Sequence, residues 1–91
     1  VLGQHERAIQ DYTEAIRLDP EYEKAYYNRG DAYYDLGQYE KAVKEFTEAI
    51  RVDPRCAFAY ASRSKAYELL GQHGKADADR RRYLELLLEA K

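Results

Sequence analysis

The side chains best suited to chemistry are few and widely spaced in this chain, which has one cysteine and two histidines. Cys56 has no histidine near it in sequence that could activate it, so the sequence predicts an ordinary thiol. His5 and His73 each follow a glycine by two residues, as Tyr39 also does. This shared position indicates a repeated surface or packing role rather than a set of metal ligands.

The charged groupings favour polar helix faces over a catalytic site. Asp31 and Asp35 are four residues apart and could touch a cation, but two carboxylates alone make a poor cation site. Arg80–Arg82 with Lys75 is the one basic cluster, and such a run is more often a solvated helix face than an RNA-binding surface. The sequence has no glycine-rich phosphate loop and no nucleophile paired with a base. We therefore expect no enzyme, no catalytic residue, no cofactor and no metal.

Composition limits the classes of protein further. The chain of 91 residues is 45% hydrophobic and 35% charged, which is too apolar for disorder. Its net charge of −2, with both signs interspersed, gives no reason to expect a nucleic-acid partner. We expect no membrane span, because no apolar run is long enough, and no signal peptide is present. A single cysteine favours a reducing compartment, so we expect a cytoplasmic location.

The chain is organised by an internal repeat with an offset of 34 residues. The recurring motifs are Leu-Gly-Gln at 2–4, 36–38 and 70–72, Thr-Glu-Ala-Ile-Arg at 13–17 and 47–51, and Asp-Pro at 19–20 and 53–54. A fixed period of this size is typical of stacked supersecondary units, none of which can bury its apolar face alone.

Each repeat contains helical patterns bounded by proline and glycine. Apolar residues recur at i, i+4, i+7 and i+8, which predicts amphipathic helices. Pro20 and Pro54 end the helices before them, and Gly37 and Gly71 permit left-handed turns. We predict five helices and no strand. Their bounds are residues 4–18, 21–36, 38–52, about 57–70, and 73 or 74 to 90.

This pattern resembles that of the tetratricopeptide repeat (TPR) family. The residues of the central repeat that match the family pattern are Tyr26, Gly30, Tyr33, Ala42, Phe46 and Pro54. Arg29 departs from it, since the pattern has leucine there, and in the last repeat Arg80 replaces an aromatic residue and Tyr83 a small one. The resemblance implies an all-α solenoid of stacked antiparallel helix pairs in a right-handed superhelix. It divides the single array into a truncated repeat at 1–22, a full repeat at 23–56, and a final repeat with an extended C-terminal helix at 57–91.

The resemblance also implies a protein-interaction module or scaffold. TPR arrays line a concave groove with the first helix of each pair and hold a peptide or a partner helix there. The residues that would line this groove are Lys24, Tyr27, Asn28, Asp31, Tyr34 and Asp35 from one helix, and Phe58, Ala61, Ser62, Lys65 and Leu69 from the next. We expect a protein or peptide ligand with basic groups opposite Asp31 and Asp35. The alternative is a solvated face without a partner.

One family activity is not expected. Chaperone-adaptor members grip a C-terminal carboxylate with basic and asparagine side chains on three successive helices. Asn28 matches the asparagine of the second helix, but Phe58 and Ser62 stand where the third helix would carry lysine and arginine. Because the charge that would hold a carboxylate is mostly missing, we predict no such clamp.

The alternative function is self-assembly, with a second copy as the main partner. The first helix has an apolar face with no earlier helix in this sequence to cover it, and the last helix carries an apolar stripe. The residues concerned are Ile9, Tyr12 and Ile16 on the first helix, and Tyr83, Leu84, Leu87 and Leu88, with Leu86 beside them, on the last. Burying one leucine side chain is worth about 1.5–3 kcal/mol, so we expect a homo-oligomer through these faces. A last helix that folds back over its own leucines would instead give a monomer.

Overall fold

A computed structural model describes residues 3–91, and within that range the chain forms five α-helices and no strand. They are α1 (Gln4–Leu18), α2 (Glu23–Asp35), α3 (Tyr39–Val52), α4 (Ala57–Leu69) and α5 (His73–Glu89). The prediction of five helices is therefore confirmed, but the predicted start of the second at residue 21 is wrong: α2 begins at Glu23, because residues 20–21 form the turn after α1. Leu2, in the first Leu-Gly-Gln motif, lies outside the described residues.

Glycine ends α2 and α4 in the same way. Gly37 and Gly71 have φ angles of 78° and 76°, a left-handed conformation that strains other residues. After α2, the Gln38 N–H donates to the Tyr33 carbonyl at 2.9 Å, and the Gly37 N–H donates to the Tyr34 carbonyl at 2.9 Å. This is the Schellman arrangement, which satisfies carbonyls that the helix end would leave unpaired.

Proline marks the turns that follow α1 and α3. After α1, the Asp19 carboxylate accepts the backbone N–H of Glu21 at 3.1 Å, which stabilises the turn. The Tyr26 hydroxyl then donates to the carbonyl of Pro20 at 2.9 Å. The turn around Pro54 repeats both contacts at 3.1 Å. A tyrosine hydroxyl thus fixes each turn to the helix that follows it.

Small residues fill most of the core. The fully or nearly buried alanines are Ala25, Ala32, Ala42, Ala49, Ala59, Ala66 and Ala76. Phe46 is the largest side chain that is fully buried, at 0% exposure. A Cβ placed on Gly30 would lie 2.6 Å from the Phe46 ring, so the glycine is needed where α2 approaches α3.

The helices stack in chain order into an elongated body of 41 × 28 × 17 Å. Each helix packs against the next, and α2 in addition contacts α4. Helices α2 and α4 therefore lie side by side along one surface. That surface carries the residues predicted to bind a partner.

A repeated ion pair ties three successive helices together. Arg29 on α2 pairs with the buried Glu45 on α3 and also donates to the Thr13 hydroxyl of α1 at 3.1 Å. One repeat later, Arg63 bonds both oxygens of Asp79 at 2.7 and 2.8 Å, and donates to the preceding threonine hydroxyl at 3.1 Å. Arg29 therefore has a hydrogen-bonding partner on each neighbouring helix, which explains an arginine where the family pattern has leucine.

Candidate functional site

Nine of the eleven residues predicted to line a binding groove lie around two adjoining concavities between α2 and α4, which together we call the α2–α4 groove. The first, the acidic concavity, is about 330 Å³ and is lined by Tyr27, Asp31, Tyr34, Asp35, Ser62 and Lys65. The second, the Phe58 concavity, is about 290 Å³ and is lined by Glu23, Lys24, Tyr27, Asn28, Cys56 and Phe58. Ala61 and Leu69 were also expected in the groove; both belong to α4 but neither lines a concavity.

Tyr27 lies at the centre of the groove and lines both concavities. Its hydroxyl shares a hydrogen bond with the Ser62 hydroxyl, 3.1 Å between the oxygens, which joins α2 to α4. Its ring packs on the buried Phe46 ring with 5.6 Å between centroids. Burial raises the pKa of Tyr27, so this hydroxyl stays protonated and remains a hydrogen-bonding group. The centre of the groove is thus held in place by the core beneath it.

The acidic concavity contains two carboxylates and one ammonium. Burial raises the pKa of Asp31, and the charge of Asp35 raises it further, while Lys65 acts in the opposite direction. Asp35 is more exposed, and its carboxylate lies 4.0 Å from Nδ1 of His5 at the edge of the groove. A cation entering this concavity would relieve the repulsion between the carboxylates.

The Phe58 concavity has a different character. Phe58 is 66% exposed, which is unusual for a phenylalanine on a helix of a small domain. The Cys56 thiol donates to the Glu23 carboxylate at 3.4 Å, and burial raises its pKa to about 11. The thiol is therefore protonated at neutral pH and suits packing rather than nucleophilic chemistry.

Two lining residues, Glu23 and Cys56, were not among the predicted set. Glu23 stands four residues before Tyr27 and so continues the same helical face by one turn. This spacing could have identified Glu23 as a groove residue from the sequence. Cys56 is the N-cap residue of α4, and only the alignment of α4 beside α2 brings it to the groove.

The other candidates for chemistry lie apart from each other or are already paired. Within residues 3–91, no group of three or more His, Cys, Asp or Glu side chains is placed to hold a metal ion. His73 Nδ1 lies 3.1 Å from the Glu68 carboxylate. In the basic cluster, Arg80 pairs with Asp77 at 2.7 Å, and Arg82 pairs with acidic side chains on α5 at 3.3 and 3.8 Å. These pairs are consistent with the interpretation of the cluster as a solvated helix face.

The residues predicted for self-association differ in their exposure. Leu84, Leu87 and Leu88 on α5 are exposed by 54%, 41% and 67%, whereas Leu86 is buried. The remaining members, which are Ile9, Tyr12, Ile16 and Tyr83, are half-buried. None of the helices in the described range 3–91 combines the length and apolar character needed to cross a membrane.

Family models and solved structures of other proteins resemble this chain. Family models described as TPR repeat and tetratricopeptide repeat match residues 2–37 and 23–56. Comparison with curated protein sequences gave no match. Among solved structures, MamA superposes with a TM-score of 0.93 at 30% identity, over 96% of this chain and 51% of the MamA chain. The present chain therefore spans about half the length of that protein.

A second solved relative is matched over more of its length. The second TPR of Spaghetti (RPAP3), solved with the HSP90 peptide SRMEEVD bound, has a TM-score of 0.89 at 37% identity, over 92% of this chain and 78% of that one. Its first TPR, also bound to that peptide, gives a TM-score of 0.90 at 30% identity, over 92% of this chain and 67% of that one. The fold is that of an all-α solenoid and of a protein-interaction module. The chain belongs to the tetratricopeptide repeat family.

Proposed function

We propose that this chain binds a partner polypeptide in the α2–α4 groove. The observation that carries the proposal is that nine of the eleven predicted residues line two adjoining concavities that share Tyr27. Exposed aromatic and polar side chains mixed in this way are typical of interfaces. The Asn28 amide can both donate to and accept from a peptide backbone.

The ligand differs in charge from the one bound to the RPAP3 relatives. SRMEEVD ends in acidic side chains and a carboxylate. The resemblance to carboxylate-binding TPR proteins implies lysine and arginine at two positions of α4, where this chain has Phe58 and Ser62. The acidic concavity holds two carboxylates against the single ammonium of Lys65. The groove is thus better matched to a basic ligand than to an acidic one.

The test first selects peptides that bind the wild-type protein from an unbiased library. It then measures their affinity for a variant in which the charges of the groove are reversed. Asp31→Lys with Asp35→Lys should weaken binding of the selected peptides by at least about tenfold, because each broken charge pair is worth on the order of 1.5–3 kcal/mol. Helix content by circular dichroism should stay unchanged. The matched control is Glu85→Lys with Glu89→Lys, which reverses an acidic pair of equal spacing on α5. Equal affinities for the two double variants would place the binding site outside the groove.

A second function, self-association with another copy of the chain, is favoured by the leucine stripe on α5. Leu84 stands 34 residues after Ile50, which packs against the buried cluster around Tyr26 and Ala59. The same repeat position that makes a packing contact in α3 is therefore 54% exposed in α5. Exposed leucines grouped in this way are typical of surfaces that pair.

Sedimentation velocity at high protein concentration tests this second function. The wild type should sediment as an oligomer, and Leu84→Glu with Leu88→Glu should sediment as a monomer. Leu69→Glu is the control, because Leu69 is 54% exposed like Leu84 but lies on α4. A wild type that stays monomeric at every concentration would rule the stripe out as a self-association surface.

A further inference from the structure

The two ends of the α2–α4 groove differ in chemistry. Phe58 and Cys56 give one end its apolar surface, beside the opposite charges of Glu23 and Lys24, while Asp31 and Asp35 make the other end anionic. Tyr27 lines both concavities and is hydrogen-bonded to Ser62, which lines the acidic one. A ligand that occupies the whole groove must therefore present different side chains at its two ends.

The helix geometry fixes the distance between these ends. Asn28 and Asp35 on α2 are seven residues apart, as are Phe58 and Lys65 on α4. At a rise of about 1.5 Å per residue, two side chains seven positions apart on a helix stand about 10 Å from each other along its axis. An extended peptide advances about 3.3 Å per residue, so it covers the same distance in about three residues.

An extended ligand suits the groove better than a helical one. An α-helix with its side chains is about 10–12 Å across. Each concavity is only about 290 to 330 Å³, and Tyr27 lines both. One side chain per concavity, with the backbone passing over Tyr27 near Asn28 and Ser62, fits these dimensions. The hydroxyl and amide groups there can bond an exposed peptide backbone.

We infer that the groove selects an extended peptide segment in which an apolar side chain and a lysine or arginine stand three residues apart. The apolar side chain packs against Phe58, and the cation pairs with Asp31 and Asp35. This inference rests on the proposed function and adds the chemistry and spacing of the ligand to it. Lys65, at the rim of the acidic concavity, disfavours a second cation and limits the basic end to one group.

The experiment measures fluorescence anisotropy with short synthetic peptides in a serine-glycine background. Each carries one leucine and one arginine, in either order, at separations of one, three or six residues. One order at a separation of three should bind about tenfold more tightly than the other separations, and replacing its arginine by glutamate should remove that gain. Phe58→Ser should weaken binding of the preferred peptide, and Asp31→Asn with Asp35→Asn should abolish its preference for arginine over glutamate.

The outcomes separate this inference from the proposed function. Glu85→Gln with Glu89→Gln is the control pair and should leave the preferred peptide's affinity unchanged. If the groove variants lose binding but the wild type binds peptides of all separations equally, the inferred spacing of three residues is wrong and the groove is still the binding site. Binding that the groove variants do not affect would overturn both. If no peptide of the series binds, the inference is wrong, and the library selection decides the proposed function independently.

Discussion

Replacing Gly30 by alanine should destabilise the fold although it improves helix propensity. A Cβ at this position would lie 2.6 and 2.9 Å from two atoms of the Phe46 ring. Favourable carbon contacts begin near 3.5 Å, so the ring would have to move by about 1 Å. It has no free space to move into, since Phe46 is 0% exposed and packs on Tyr27.

The expected size follows from two opposing effects. Alanine gains about 1 kcal/mol over glycine inside a helix, while overpacking a core typically costs about 1–3 kcal/mol. We therefore expect a net loss on the order of 1 kcal/mol, which for a domain of this size lowers Tm by about 4–8 °C. Gly74→Ala is the control, because a Cβ there would meet nothing within 4 Å. That variant should be as stable as the wild type or slightly more stable.

Urea denaturation of a double-mutant cycle isolates the contact. Phe46→Leu shortens the side chain that meets the new methyl, so Gly30→Ala should be less damaging in that background than in the wild type. The last repeat already combines a larger residue at the glycine position with the loss of the ring. Ser64 stands 34 residues after Gly30, and Arg80 stands 34 residues after Phe46. The reasoning is refuted if Gly30→Ala stabilises the protein as Gly74→Ala does, or if the two changes in the cycle are additive.

Three further predictions concern the core and the groove. Arg63→Leu should cost about 3–5 kcal/mol of unfolding free energy because it leaves Asp79 buried without its partner, and Arg63→Leu with Asp79→Leu should recover most of that loss in urea denaturation. With its pKa raised to about 11 from 9.0, Cys56 should have about 100-fold less thiolate than an unperturbed thiol at mildly alkaline pH, and its thiolate should be about tenfold more nucleophilic, so it should react with iodoacetamide about tenfold more slowly; equal rates would contradict the burial argument. Because the pKa of Asp31 is raised in the folded state, its ionisation lowers stability as pH rises through that pKa; Asp31→Asn should therefore stabilise the protein near neutral pH, with a gain that vanishes below the ordinary value of 3.8.

The order of the helices and the turns between them followed from the sequence because each of these turns had a local cause. Pro20 and Pro54 cannot continue a helix, Gly37 and Gly71 take left-handed conformations, and the offset of 34 residues made each repeat a check on the others. The effects of proline and glycine on the backbone act within a few residues along the chain. They do not depend on how the helices are arranged in space.

The ion pairs could not be predicted in the same way. Arg29 reads locally as a departure from the family pattern, and its acceptors on α1 and α3 are each 16 residues away. Nothing in the chain near Arg29 identifies either partner. A comparison between repeats would have helped, since Thr47, Arg63 and an acidic residue recur one repeat later at the same intervals.

The groove residues were predicted from the resemblance to the TPR family, with which the helical spacing agrees, and the site remains a prediction because its test is binding. Their positions follow from the angle that each residue takes around α2 and α4. The division into an acidic and an apolar end required the structure, since it depends on which side chains of α2 face which side chains of α4. Cys56 lines the groove only because α4 lies beside α2 in the folded chain.

The two repeats preserve their packing residues and vary their groove residues, and this difference says something about the ligand. The pairs that stay identical from α2 to α4 are Ala25 and Ala59, Tyr26 and Tyr60, Arg29 and Arg63, Ala32 and Ala66, and Tyr33 and Tyr67. The groove positions all change between the repeats, with Asp31 replaced by Lys65 and Lys24 by Phe58. Packing accounts for the first set, and although Tyr27 also packs on Phe46, the fold alone does not require the groove positions to differ. A uniform ligand surface would favour equal residues on the two helices, so the observed contrast favours a partner that presents different side chains to α2 and to α4.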